Sequence, residues 1–254
     1  YNVFINENFD NVSPNAIPFK EQNSKLYSKI ELNDLNASIW LNPEEDVLTN
    51  RQLIIFTITN IYSKLLYNNG YYFLHCSCVS KNGKAIAICG EKNVGKTVNL
   101  LNFLSHGYNF ITNDMLAIKK IEGGIICHGM PYYVGVRMTK PWITEPTNKK
   151  YIAFANEHNY KIPDNASLDE NKLFISPQNV AKLNGVAISP FSKLEVILNP
   201  HYDESASKLN LKKMGGENLK ALVYSQKLSP IHSSKAFLNN LNSNAFLSTK
   251  SRLE

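Results

Sequence analysis

A mixed-sheet α/β fold built around a phosphate-binding loop is the class this sequence predicts, and three observations carry it. The stretch Gly90-Glu91-Lys92-Asn93-Val94-Gly95-Lys96-Thr97 matches the pattern G-x-x-x-x-G-K-S/T over its full length. Around it, the apolar run Lys84-Ala85-Ile86-Ala87-Ile88-Cys89 suits a buried strand, and Val98-Asn99-Leu100-Leu101-Asn102-Phe103-Leu104 has helical spacing. Upstream, Tyr71 to Val79 also reads as a strand, and Lys81-Asn82-Gly83-Lys84 interrupts it. Asn-Gly between two strand-like runs is a strong hairpin signal, because both residues tolerate positive φ. The strand feeding the loop is therefore expected to be the second arm of an antiparallel hairpin.

The loop residues have separable tasks. A strand that passes through a glycine-containing loop onto a helix N-terminus aims successive N–H groups, and the positive end of the helix dipole, at one anion. Lys96 can reach terminal phosphates, and the Thr97 hydroxyl can ligate Mg²⁺. All eight positions, Gly90 through Thr97, are thus candidate nucleotide-binding residues. No N-K-x-D guanine-reading motif is present: Thr147-Asn148-Lys149-Lys150 and Glu170-Asn171-Lys172-Leu173 lack its aspartate. Nor does D-x-x-G follow the loop in the switch position of small GTPases. By elimination, ATP with Mg²⁺ is the expected ligand.

Residues 1–45 contain short alternating runs separated by Asn, Pro and Asp, and read as a strand-rich N-terminal region. Residues 46–254 are expected to form the nucleotide-binding domain. Within it, Ile54, Ile58, Ile61 and Leu65 recur at helical spacing over 49–67, with Asn69-Gly70 as the stop; this apolar stripe is expected to pack in the core. After the loop helix, His106-Gly107 closes the turn and Tyr108-Asn109-Phe110-Ile111-Thr112 reads as a strand ending at Asn113-Asp114. Met115 to Ile118 continues extended, Gly123-Gly124 turns the chain, and Ile125 to Cys127 and Pro131 to Arg137 read as further strands. From Thr139 to Asp169 the chain is polar and proline-punctuated, and a long surface excursion is expected. Ser176-Pro177 should start a short helix through Leu183, Ser as cap and Pro at the first helical position. Leu194 to Leu198 is a strand, followed by helices near 214–225 and 230–247.

Composition excludes several classes. The chain has 254 residues, 43% of them hydrophobic, enough to bury a sizeable core. No apolar run approaches the roughly 18 residues of a membrane span, and no signal peptide is seen within the sequence. The net charge is +6, yet the lysines are scattered and no basic block with interleaved aromatics appears, so no nucleic-acid partner is expected. Four cysteines, Cys76, Cys78, Cys89 and Cys127, suit small buried hydrophobes in a reducing, cytoplasmic compartment, not a disulfide framework or a zinc site.

Three residues outside the loop are candidates for chemistry. Asp114, at a strand end after the loop helix, fits the carboxylate that holds Mg²⁺, together with Thr97. His75 lies next to the loop strand and could approach the phosphates, although a lone histidine there is more often a core residue. Arg137 is a rare arginine in a lysine-rich chain; its planar fork suits a phosphoryl oxygen or a surface ion pair.

Leu74-His75, Asn82-Gly83-Lys84, the phosphate loop, His106-Gly107-Tyr108, Asn113-Asp114 and Gly135-Val136-Arg137 together resemble the HPr kinase/phosphorylase superfamily. The smaller HPr-kinase-like peptide kinases, including lasso-peptide kinases, are more similar still, and the family resembled shares the fold core of phosphoenolpyruvate carboxykinase. The resemblance spans about residues 45–225. It implies the mixed-sheet P-loop fold of that type, with His75 near the transferred phosphate, Asp114 as Mg²⁺ ligand and Arg137 as phosphate contact. It also implies an ATP-dependent kinase whose acceptor is a peptide or small-molecule hydroxyl, and it admits a homo-oligomer. Departures accompany it. The paired aspartates of the family are Asn113-Asp114 here, and an amide cannot accept a hydroxyl proton. Gly135 replaces the carboxylate two residues before the arginine. The alternative is therefore a nucleotide-binding partner or regulatory module without transfer activity.

Overall fold

The computed structural model describes residues 2–6, 17–19, 28–32, 36–40, the helical positions 54, 58, 59, 62 and 63, and residues 65–138, 145–158, 172–201 and 210–228. The chain divides into two compact units, Tyr1–Leu65 with Pro230–Glu254, and Leu66–Ser229. In the first, β1 (Asn2–Asn6), β2 (Ile17–Phe19), β3 (Ser28–Leu32) and β4 (Asn36–Trp40) form one sheet in the order β1-β4-β3-β2. Only β1–β4 is parallel. Of the apolar stripe expected over 49–67, Ile54 and Leu65 are half-buried and Ile58 is exposed, while Ile61 falls outside the described residues.

The second unit is α/β with a mostly antiparallel sheet. Its strands are β5 (Tyr72–Leu74), β6 (Cys76–Lys81), β7 (Lys84–Cys89), β8 (Asn109–Thr112), β9 (Leu116–Ile121), β10 (Gly124–Gly129), β11 (Val134–Arg137), β12 (Lys172–Ile175), β13 (Phe191–Leu198) and β14 (Lys227–Leu228). Eight of them make one sheet, in the order β14-β5-β9-β10-β13-β7-β6-β8, while β11 and β12 pair separately. Every pairing in the large sheet is antiparallel except β13 on β7. That one parallel contact makes the sheet mixed.

The Asn-Gly hairpin forms as its residues dictate. Lys81 pairs with Lys84, and Asn82 and Gly83 take φ of 53° and 74°, the double positive φ of a two-residue hairpin turn. Both faces of β7 are covered, which is why it reads as a continuous apolar run. Ala85, Ala87 and Cys89 enter one cluster with Leu74, Cys76, Cys78, Ile111, Leu116 and Cys127. Ile88 enters the other, with Val79, Leu100, Leu104, Phe110, Val136, Tyr151 and Val180.

Among the described residues, the helices with complete bounds are α1 (Lys96–Ser105), α2 (Lys149–Glu157), α3 (Pro177–Asn184) and α4 (Gly216–Ser225). Ser176 caps α3, its hydroxyl accepting from the Asn179 N–H at 3.2 Å, with Pro177 at the first turn. The expectation of a surface excursion over 139–169 is corrected in its middle. A 3₁₀ turn at Pro146–Asn148 leads into α2, whose Tyr151 and Ala155 are buried in the core. Tyr151 and Ala155 are four apart and share one helix face, and Ile152 and Phe154 beside them pack against the same cluster. The helix expected near 214–225 is α4; the one near 230–247 lies outside the described residues. Among the described residues, no helix is long and apolar enough to cross a membrane.

Candidate functional site

β7 delivers the chain to Gly90, and α1 begins at Lys96, so the loop spans the gap between strand end and helix start. Gly90 and Gly95 have φ of 143° and 92°, and Asn93 has 75°. A Cβ on Gly90 would sit 2.9 Å from both Asn199 Oδ1 and Val94 Cγ2, so that position needs glycine for space as well as for backbone freedom. Gly95 offers α1 no side-chain cap, leaving the first-turn N–H groups of the helix facing the loop.

Lys96 is buried, and its ammonium donates to the carbonyls of Gly90 and Glu91, both at 2.9 Å. Two of its three hydrogens thus hold the loop's first residues, and one is left for a ligand. Burial pushes its pKa below the ordinary 10.5, and the Asp114 charge pulls it back up.

Next to Lys96 in the first turn of α1, Thr97 joins a polar cluster at the end of β8. Its hydroxyl donates to Asn113 Oδ1 at 3.4 Å, and the Ser77 hydroxyl of β6 donates to the same oxygen at 2.8 Å. Asn113 Nδ2 donates to Asp114 Oδ2 at 2.9 Å. Asn113 is 1% exposed, so its amide is a buried hub that ties Thr97, Ser77 and Asp114 together. Asp114 is exposed and adopts φ 69°, a left-handed conformation that aspartate and asparagine tolerate better than most residues.

The remaining candidates converge on the same place. His75 stands at the bend between β5 and β6, not inside a strand as the sequence suggests, and its Nε2 is 3.7 Å from Asp114 Oδ1. The bend exists because the chain changes partners there: β5 pairs with β9 and β14, β6 with β7 and β8. Arg137, at the end of β11, donates from one guanidinium nitrogen to Asn93 Oδ1 at 2.6 Å. His75, Lys96, Thr97, Asp114 and Arg137 are therefore brought together around one loop, from four places in the chain: the bend before β6, the start of α1, the turn after β8 and the end of β11.

Three residues at the site carry no motif signal: Ser77, Asn199 and Gln226. Ser77 lies inside the C-S-C run, where a small polar residue among buried cysteines hints at an inward hydrogen bond. For Asn199 and Gln226 nothing local points to the loop. The four cysteines are free and buried, as small hydrophobes.

Among the described residues, no three His, Cys, Asp or Glu side chains form a metal-holding group. The oxygen donors present, the Thr97 hydroxyl and the Asp114 carboxylate, suit a hard cation that takes one or two protein ligands and completes its shell with water and phosphate, as Mg²⁺ does.

No protein-family model matches the chain. No curated protein matches it either. Among solved structures it is similar to the HPr(Ser) kinase/phosphatase from Coxiella burnetii, at 15% identity and a TM-score of 0.32. The match covers 54% of this chain and spans 64% of the length of that one.

Proposed function

We propose that this protein binds a nucleoside triphosphate at Gly90–Thr97 and transfers its γ-phosphoryl group to a hydroxyl of a peptide or small molecule. The observation that carries the reading is the state of Lys96: it is buried, it secures the first two loop carbonyls, and it keeps one hydrogen for a phosphate. The uncapped N-terminus of α1 adds backbone donors for the same anion. The motif resemblance to HPr-kinase-like peptide kinases supports the choice of acceptor class, and the missing guanine motif supports ATP.

Thr97 and Asp114 would hold Mg²⁺, which would neutralise charge between the β- and γ-phosphates when bound. Lys96 and Arg137 would place positive charge on the migrating phosphoryl oxygens. In the transfer, a bond forms from the acceptor oxygen to γ-phosphorus, and the bond to the β–γ bridging oxygen breaks, leaving ADP. The hydroxyl proton passes to His75 Nε2, and Asp114, 3.7 Å away, steadies the resulting imidazolium. Asn113 takes no part as a base; both ends of its amide are engaged.

That engaged amide also favours a second reading, in which the protein binds nucleotide and does not transfer. Calorimetry with Mg²⁺-ATP, followed by incubation with γ-labelled ATP and Ser- and Thr-containing peptides, separates the cases. Label on a peptide hydroxyl is the expected result. Binding without label selects the binding module, and no affinity for any nucleoside triphosphate overturns both.

A further inference from the structure

Gln226 follows directly on α4, 136 positions beyond Gly90 in the sequence, yet it meets the loop. Its side chain is buried at 6% exposure. Its amide nitrogen donates to the His75 carbonyl at 3.0 Å and to the Gly90 carbonyl at 2.9 Å, while its oxygen accepts from the Ser225 hydroxyl at 3.2 Å. This orientation gives both amide hydrogens a carbonyl acceptor; the reverse would aim the amide oxygen at two carbonyl oxygens. The backbone adds a further bond, since the His75 N–H donates to the Gln226 carbonyl at 2.7 Å. The Gln226 N–H in turn donates to the Leu222 carbonyl at 3.1 Å, fixing the residue to the end of α4. Beyond it, β14 pairs with β5, with Lys227 opposite Leu74.

These contacts meet a need that the local chain cannot. His75 sits where the strand breaks between β5 and β6, so neither flanking ladder serves its backbone groups. Gly90 sits where β7 ends and the loop begins. Gln226 serves both, and the Gly90 carbonyl it holds from outside is the one Lys96 holds from within. The two donors clamp the loop's first peptide between α4 and α1.

We propose that Gln226 is a positioning residue of the nucleotide site, which holds the start of the phosphate loop and the His75 bend in ligand-ready geometry. The inference rests on the reading that Gly90–Thr97 binds nucleotide. It implies that part of the affinity for phosphate comes from preorganisation supplied by a residue that never touches the ligand.

Gln226→Leu keeps the volume and removes the donors. Loss of one neutral hydrogen-bonded anchor should weaken Mg²⁺-ATP binding about five- to tenfold. Ser176→Ala, which removes the α3 cap far along the chain, lowers stability without touching the loop and supplies the control. Hydrogen exchange at the loop amides, 91–95, should accelerate in ligand-free Gln226→Leu and stay unchanged in Ser176→Ala. Gln226→Glu adds a readout that a general packing role would not give. Two carbonyls facing the new carboxyl favour its protonated form, which regains a donor. Its affinity relative to wild type should therefore be closer at about pH 5.5 than at about pH 8. Should Gln226→Leu fail to fold, Gln226→Asn, one methylene shorter, carries the same comparisons. Wild-type affinity and unchanged loop exchange in these variants overturn the inference while leaving the nucleotide site intact. If the wild-type protein binds no nucleotide, the functional reading fails, and the exchange experiment still decides whether Gln226 holds the loop.

Discussion

Lys96 holds the carbonyls of Gly90 and Glu91 and, under the proposed function, would also meet a phosphate. Lys96→Ala should weaken Mg²⁺-ATP binding by at least about tenfold, roughly 1.4 kcal/mol, through loss of charge-assisted hydrogen bonds. Because burial lowers its pKa, affinity should begin to fall at a pH below the ordinary 10.5 as the ammonium is lost. Stability moves the other way. Between the lowered folded value and 10.5 the unfolded chain binds more protons, so this residue's contribution rises with pH across that window. Titration of nucleotide affinity and of urea midpoints checks both signs. Asn113 and Asp114 give a second comparison. Asp114→Asn, which keeps the backbone tolerant of φ 69°, should cost far more activity than Asn113→Ala, since only the first removes the charge a divalent cation needs. Asn113→Asp should lower stability by about 1–3 kcal/mol, because the donor to Asp114 disappears and two carboxylates become neighbours.

Elements approach one another most closely where side chains are absent. β10 passes β8 so tightly at Gly129 that an added Cβ would lie 2.0 Å from the Ile111 carbonyl oxygen, a backbone atom that cannot swing aside. Gly129→Ala should destabilise by about 1–3 kcal/mol or more, measurable by chemical denaturation. Should its urea midpoint match wild type, the close crossing is absent in solution. This crossing matters for the site, because β8 ends at the Asn113 hub and Thr112 ties it back to β10. The Thr112 hydroxyl donates to the Met130 carbonyl at 3.0 Å. On the opposite face, α2 and α3 are joined by Asn184, whose amide nitrogen donates to Tyr151 Oη at 2.7 Å. Burial drives the Tyr151 hydroxyl up to about 12, so it remains a neutral partner across the working pH range. Tyr151→Ala should cost about 3–5 kcal/mol, as for other large aromatic truncations in a core.

For the whole molecule, a ligand that binds only the folded state must raise its apparent stability. At a concentration 100 times its Kd, Mg²⁺-ATP should add about 2.7 kcal/mol, visible as a rise in Tm. GTP at the same concentration should add less, and equal shifts would show that the base is not read. The proposed transfer, by contrast, would need His75, Lys96, Asp114 and Arg137 to act together, so loss of transfer with retained binding in His75→Ala is the outcome that separates chemistry from affinity.

Local rules were enough for the hairpin, the loop and α3, because their signals are short: Asn82-Gly83 for a turn, Gly90 to Thr97 for a strand-loop-helix, Ser176-Pro177 for a capped start. Each depends on φ preferences and hydrogen bonds within a few residues, which composition reveals directly. The same strand-end logic singles out Asp114 in the sequence. Other features come from pairings distant in sequence. The parallel contact of β13 on β7 and the change of partner at His75 depend on which strands find each other. The burial of Tyr151 and Ala155 depends on what α2 meets, since its apolar run gains a core only by packing against residues distant in sequence such as Val134, Val180 and Leu100. Gln226 reaches Gly90 only because β14 lies beside β5 and α4 ends there, a juxtaposition that no local pattern encodes.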